Sequence, residues 1–226
     1  MTGTLADAHL HLFSQGFPST RGRPVLLGRS EVAEYEALRE AHGIGAGLVV
    51  GYEAEGIDPQ NNRYIRGLAA ERSWMATLAY VPCYPAPGCD RIDAFFASGH
   101  VGLAIYLPDG TAAASFAEWP AEIWQLLDER NAIVSLNAGP EGVRGIASRV
   151  RTSAGCSFLF SHLGLPGRYP TAPSLAEAAA RLQPLLDLAD CPSVRIKISG
   201  LYAVSDPPRA YPHNAARPFV ELLLDR

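Results

Sequence analysis

The sequence predicts an α/β fold built of repeated strand-then-helix units, and three observations carry that expectation. Seven short apolar runs alternate with seven amphipathic stretches, the pattern of a parallel sheet covered by helices. The 226 residues are 48% hydrophobic and 19% charged, which is enough apolar material to bury one large core. No low-complexity stretch, long charge block or Pro/Ser-rich linker divides the chain, so one domain over 1–226 is expected. Seven units fall one short of an eight-stranded cylinder, which usually takes about 250 residues. The expected architecture is therefore a TIM-barrel-like (β/α) barrel with seven β/α units visible and the eighth strand missing, C-terminally incomplete.

The strands are expected at Thr4–His9, Ala46–Val50, Met75–Val81, Val101–Leu107, Ala132–Asn137, Ser157–His162 and Val194–Ser199. Each is a short apolar run, as strands buried between a core and a helix layer must be. The helices are expected at Ser30–His42, Asn61–Arg72, Cys89–Ser98, Pro120–Arg130, Gly142–Ser153, Ser174–Ala189 and Ala215–Asp225. Ser30 stands before Glu31 and Glu34, which suits an N-cap followed by acidic first-turn residues. Gly43 follows His42, where a left-handed C-cap belongs.

Composition narrows the function. Nineteen Lys and Arg against twenty-three Asp and Glu give a net charge of −4, without the basic excess of a nucleic-acid protein. No run approaches the roughly 18 apolar residues of a membrane span, and the first residues lack the basic flank and apolar core of a secretory signal. Cys83, Cys89, Cys156 and Cys191 form no CxxC pair, and reduced thiols in a cytoplasmic protein are expected. The expected partner is a small-molecule substrate, with no nucleic acid and no membrane. A second copy of the chain is a candidate cover for the open barrel edge, because an unpaired parallel edge is an aggregation liability.

Chemistry-bearing residues fall at the strand ends. Asp7-Ala8-His9-Leu10-His11 closes the first strand, and period-two alternation puts Asp7, His9 and His11 on one face. Two imidazoles two residues apart can ligate one metal ion or polarise one carbonyl. His162, in Ser161-His162-Leu163-Gly164-Leu165-Pro166, brings a third imidazole to the end of the sixth strand. In a parallel barrel all strand C-termini lie on the catalytic rim. Tyr106 and Asn137 end the fourth and fifth strands and are expected at the same mouth. On the seventh strand Lys197 needs a partner if it points inward, and Asp7 is the expected one.

The segments DAHLHLF, SHLGLP, KISGLY and ARPFVELLLDR together resemble the amidohydrolase-2 family, nearest its lactonase branch of pyrone-dicarboxylate and sugar-lactone hydrolases. The likeness spans essentially the whole chain. It implies a TIM-barrel hydrolase that opens a lactone or similar cyclic ester or amide with an activated water. His9 and His11 match the family's first-strand pair and His162 its later histidine, as catalytic groups or as ligands of one divalent metal ion, zinc first, with a metal-free site the other option. Tyr106, Asn137 and Tyr202 then orient the substrate, and Arg63 and Arg168, in the loops after the second and sixth strands, hold an acidic group. Two departures stand out. Tyr202 is followed by Ala203 rather than a basic residue, and the eighth-strand aspartate that takes the water's proton in the family has no counterpart, Asp225 falling at a helix end. Two alternatives accompany this reading: a catalytically inactive truncated barrel with a binding or structural role, and a metal-dependent decarboxylase of the same superfamily.

Overall fold

The computed structural model describes residues 5–17, 30–53, 57–206 and 211–225. Seven strands occur in the chain order β1 (Leu5–Leu10), β2 (Ile44–Val50), β3 (Met75–Tyr80), β4 (Gly102–Leu107), β5 (Ile133–Ala138), β6 (Ser157–Phe160) and β7 (Val194–Ile196). They order in the sheet as they do in the chain, and β1 with β2, β2 with β3, β3 with β4, β5 with β6 and β6 with β7 pair in parallel. Helices α1 (Glu31–His42), α2 (Asn61–Ala70), α3 (Cys89–Ser98), α4 (Gly110–Ala117), α5 (Ala121–Glu129), α6 (Pro140–Thr152), α7 (Leu175–Leu186), α8 (Leu201–Val204) and α9 (Arg217–Leu224) alternate with them. The predicted α/β alternation is present, and no eighth strand occurs among the described residues. No helix among them is long and apolar enough to cross a membrane.

Internal contacts gather in two compact units, Met1–Val81 with Asp93–Ala104, and Pro82–Ile92 with Ile105–Arg226. In the first unit, Leu10, Leu12, Val32, Val49, Ile65 and Met75 form a core that Tyr35, Tyr64, Leu68 and Trp74 pack against. In the second, Phe116, Ile123, Leu127, Phe158, Phe160 and Phe219 are fully buried, with α4 packed on α6, α6 on α7 and α7 on α9.

Cap chemistry explains several boundaries. Ser30 Oγ accepts from the Ala33 N–H and Gly43 closes α1 at φ 65°, as its lack of a Cβ allows. A capping box between Ser174 and Glu177 opens α7. Helix α4 has no counterpart in the sequence reading, because Gly-Thr-Ala-Ala-Ala-Ser-Phe-Ala carries no clear apolar stripe; Asp109 Oδ1 starts it by accepting from the Ala112 N–H at 2.9 Å.

Three expectations are corrected. Asp7 does not share the orientation of the histidines: Asp7 pairs with Gly47 but Leu10 with Val49, so β1 carries one extra residue between them. A bulge of this kind re-aims a side chain, and Asp7 Oδ2 accepts from the Tyr35 hydroxyl of α1 at 3.1 Å. Strands β6 and β7 are shorter than expected: β6 ends at Phe160, ahead of His162 and Leu163, which leave the extended region with φ of 55° and 59°, and β7 ends at Ile196. Arg63 lies exposed on α2 rather than in a loop. Thr4, expected to open the first strand, lies outside the described residues.

Candidate active site

In the first unit, the exits of three strands are tied together by two adjacent buried asparagines in the first turn of α2. Asn61 Nδ2 donates to the Leu12 carbonyl at 2.8 Å, and Asn61 Oδ1 accepts from the Tyr52 N–H at 3.0 Å. Asn62 spans the end of β3 with both ends of its amide: Nδ2 donates to the Tyr80 carbonyl at 2.9 Å and Oδ1 accepts from the Tyr80 N–H at 2.7 Å. The Asn62 N–H donates in turn to Glu53 Oε1 at 2.9 Å. This clamp needs Gly51 at the end of β2. A Cβ there would fall 2.5 Å from Asn62 Oδ1, 2.7 Å from the Leu78 carbonyl and 2.8 Å from the Tyr80 nitrogen.

The histidine pair sits at the exit of β1, His9 within the strand and His11 just beyond it. His9 and His11 are both half-buried, and their Nε2 atoms stand 3.2 Å apart with the rings at 82°. His11 Nδ1 lies 2.7 Å from the Val50 carbonyl oxygen. A carbonyl only accepts, so Nδ1 carries the proton and neutral His11 presents a bare lone pair at Nε2. His9 Nε2–H then donates to it. Asp7 Oδ1 takes the His9 N–H at 2.9 Å, which occupies a backbone donor at the bulge.

Zinc bound at about 2.0–2.1 Å in a tetrahedron holds two nitrogens about 3.3–3.4 Å apart, close to the spacing of the pair, and the His11–Val50 bond is the usual support of a ligating imidazole. A hydrolytic zinc takes three protein ligands and keeps one place for water. Among the described residues no group of three or more His, Cys, Asp or Glu is placed to hold an ion, so the pair is an incomplete ligand set.

In the second unit, His162 sits beyond the end of β6 in a turn where His162, Leu163 and Leu165 all have positive φ (55°, 59° and 46°). For residues with a Cβ this conformation costs roughly 1–2 kcal/mol each, and such strain concentrates at functional sites. The turn is pinned to the exit of β7 by the Leu163 N–H donating to the Lys197 carbonyl at 3.2 Å. Ser199 Oγ accepts from the His162 N–H at 3.3 Å and stands 3.0 Å from His162 Nδ1. Burial, reinforced by the Lys197 charge, holds the His162 pKa below the usual imidazole range and favours the neutral ring. Lys197 is buried, and its ammonium donates to Ser135 Oγ at 2.9 Å. Arg195, two residues before it on β7, is exposed and donates to the carbonyls of Pro192 and Val194.

The remaining candidates are more dispersed. Tyr106 on β4 and Asn137 on β5 are half-buried near their strand ends. Tyr202 is 50% exposed on the short α8, and Arg168 is exposed in the loop after β6. Arg63 lines a surface groove of about 680 Å³ with Ser14, Asp58, Tyr64 and Glu71. The sequence reading missed the asparagine clamp and the role of Ser199. Both lay in view as Asn-Asn at a helix start and Ser-Gly after a strand, but neither pattern announces its partners.

A family profile described as Amidohydrolase matches residues 6–226. No curated protein matches the chain. Among solved structures, a probable 2-pyrone-4,6-dicarboxylic acid hydrolase from Acinetobacter baumannii with citric acid bound is similar in fold, with a TM-score of 0.69 at 17% identity over 97% of this chain and 80% of that one. An amidohydrolase from Burkholderia multivorans with bound zinc gives a TM-score of 0.73 at 17% identity, covering 99% of this chain and 78% of that one.

Proposed function

We propose that this chain, which belongs to the amidohydrolase family, is a hydrolase that opens a lactone or similar cyclic ester or amide. One observation supports the reading above the others. His9 and His11 meet Nε2 to Nε2 at the exit of β1, with His11 oriented by the Val50 carbonyl, as a built pair of imidazoles rather than two surface histidines. The fold likeness to a protein described as a pyrone-dicarboxylic acid hydrolase agrees with it.

In the proposed reaction a water oxygen adds to the carbonyl carbon and gives up a proton, the ring C–O (or C–N) bond breaks, and that proton is returned to the released ring heteroatom. We assign His9, His11 and His162 to polarising the carbonyl or to ligating a divalent ion: a ring N–H stabilises the oxyanion directly as it forms, whereas the lone pair at His11 Nε2 acts through a bound cation. A divalent ion, when bound, would also lower the pKa of its water toward neutrality. Tyr106, Asn137 and Tyr202 orient the substrate, and Arg63 and Arg168 are the groups we assign to an acidic substituent.

The test is hydrolysis of a lactone panel, with and without chelator, by wild type and by His162→Ala. General acid–base and oxyanion groups each contribute about a hundredfold or more, so the variant should turn over at least about a hundredfold more slowly. Activity within a few-fold of wild type would remove His162 from the mechanism. Absence of turnover on every lactone would favour a barrel kept for binding or structure.

A further inference from the structure

We propose that Ser199 is a positioning residue whose hydroxyl donates to His162 Nδ1 and so fixes the imidazole as the tautomer with its proton on Nε2. The proposal rests on the reading above in that it gives His162 its mode of action: that of an N–H donor.

The argument is an accounting of protons around one oxygen. Ser199 Oγ already accepts the His162 backbone N–H at 3.3 Å, a bond whose direction is not in question because the amide only donates. His162 Nδ1 lies 3.0 Å from the same oxygen. If Nδ1 carried the ring proton, two donors would converge on Oγ and the hydroxyl's own proton would have no acceptor among the described residues. If the hydroxyl donates to Nδ1, the amide has Oγ, the hydroxyl has Nδ1, and the ring proton moves to Nε2. Sheltered polar groups settle into the arrangement that leaves the fewest unpaired.

Gly200, at φ 63°, lies close against the ring: a Cβ on residue 200 would fall 2.5 Å from Nδ1, 2.8 Å from Cγ and 3.0 Å from Cβ of His162. The Ser-Gly dipeptide after β7 thus does two jobs, a hydroxyl to select the tautomer and a bare Cα to let the ring approach. The outcome is opposite to that at His11, where a carbonyl holds the proton on Nδ1 and bares Nε2. One imidazole is built to accept a proton or a cation, the other to donate a hydrogen bond, as a neutral histidine does when it polarises a carbonyl.

The test is long-range ¹H–¹⁵N correlation of the ¹⁵N-labelled full chain at pH 8, with His162 assigned by the signal that disappears in His162→Gln. Wild type should show a protonated Nε2 and a bare Nδ1, Ser199→Ala a mixture of tautomers, and Ser199→Thr, which keeps the hydroxyl, the wild-type pattern. On a hydrolysed lactone, kcat should fall by about tenfold or more in Ser199→Ala with KM little changed, and recover in Ser199→Thr. A wild-type ring protonated on Nδ1, or a Ser199→Ala spectrum with an unchanged tautomer, would overturn the assignment. If no lactone is turned over, the hydrolase reading falls by itself and the spectra still decide the role of Ser199.

Discussion

The two compact units solve the same problem, holding an imidazole at a strand exit, by different means. In the first, the imidazole's support is a backbone group: the Val50 carbonyl orients His11, while the side-chain amides of Asn61 and Asn62 hold the strand exits through the main-chain groups of Leu12, Tyr52 and Tyr80. In the second, the supports are side chains: Ser199 holds His162 and Ser135 meets the Lys197 ammonium. A carbonyl fixes a tautomer absolutely because it has no proton to give. A hydroxyl fixes one only through the rest of its bonding, so the second arrangement is the easier to retune by a single substitution.

The contrast is broken most severely at Asn62. Replacing it by Ala leaves the Tyr80 N–H and carbonyl without their side-chain partner, and with about 1–3 kcal/mol for each sheltered group the loss should approach about 4 kcal/mol in urea unfolding. A loss under 1 kcal/mol would mean that water replaces the clamp.

Acid sharpens it next. His100, in the first unit, is buried, and burial together with the Arg66 charge pushes its pKa down to about 4. The unfolded ring, near 6.5, binds its proton first, so stability is complete above about pH 6.5 and is lost as the pH falls toward 4. The loss is on the order of 3 kcal/mol. His162, also lowered, adds to the same window. In the second unit Asp128 answers at lower pH. Burial alone would raise its pKa, but hydrogen bonds from Ser153, Gly155 and Cys156 outweigh that and hold it at about 2, so its contribution is lost below about pH 4. Chemical denaturation at pH 7, 5 and 4 should show a decline that His100→Gln flattens; an unchanged slope would assign the decline to other groups.

Zinc separates the two histidine sites. Whatever affinity the chain has by titration calorimetry should fall about a hundredfold in His11→Ala, since even the supports of a ligand are worth 10–100-fold. It should change little in His162→Ala if that ring presents an N–H. Equal losses would make His162 a ligand. The smallest effect is expected at a helix cap: Ser174→Ala removes the capping box of α7 and should cost about 1 kcal/mol without altering the ring spectra.

The strand and helix order was legible because apolar runs and amphipathic stretches repeat with their own periods. The caps at Ser30 and Gly43 were legible because single residues supply the bond or the backbone freedom they require. The orientation of Asp7 was not, since a bulge depends on how β1 registers against β2, and one inserted residue reverses the side chain without leaving a mark in composition. Helix α4 was hidden by its small residues, whose helical preference shows no face.

By itself the sequence determined the alternation of seven strands with helices, the residue types that can do acid–base chemistry, and their placement near strand ends. Only the tertiary structure decided which nitrogen of each imidazole is offered. That choice belongs to the atom opposite the ring: Val50 for His11, 39 residues along the chain, and Ser199 for His162, 37 residues along. Proton positions follow from donors and acceptors brought together by folding, and no local pattern of residues encodes a partner at that separation.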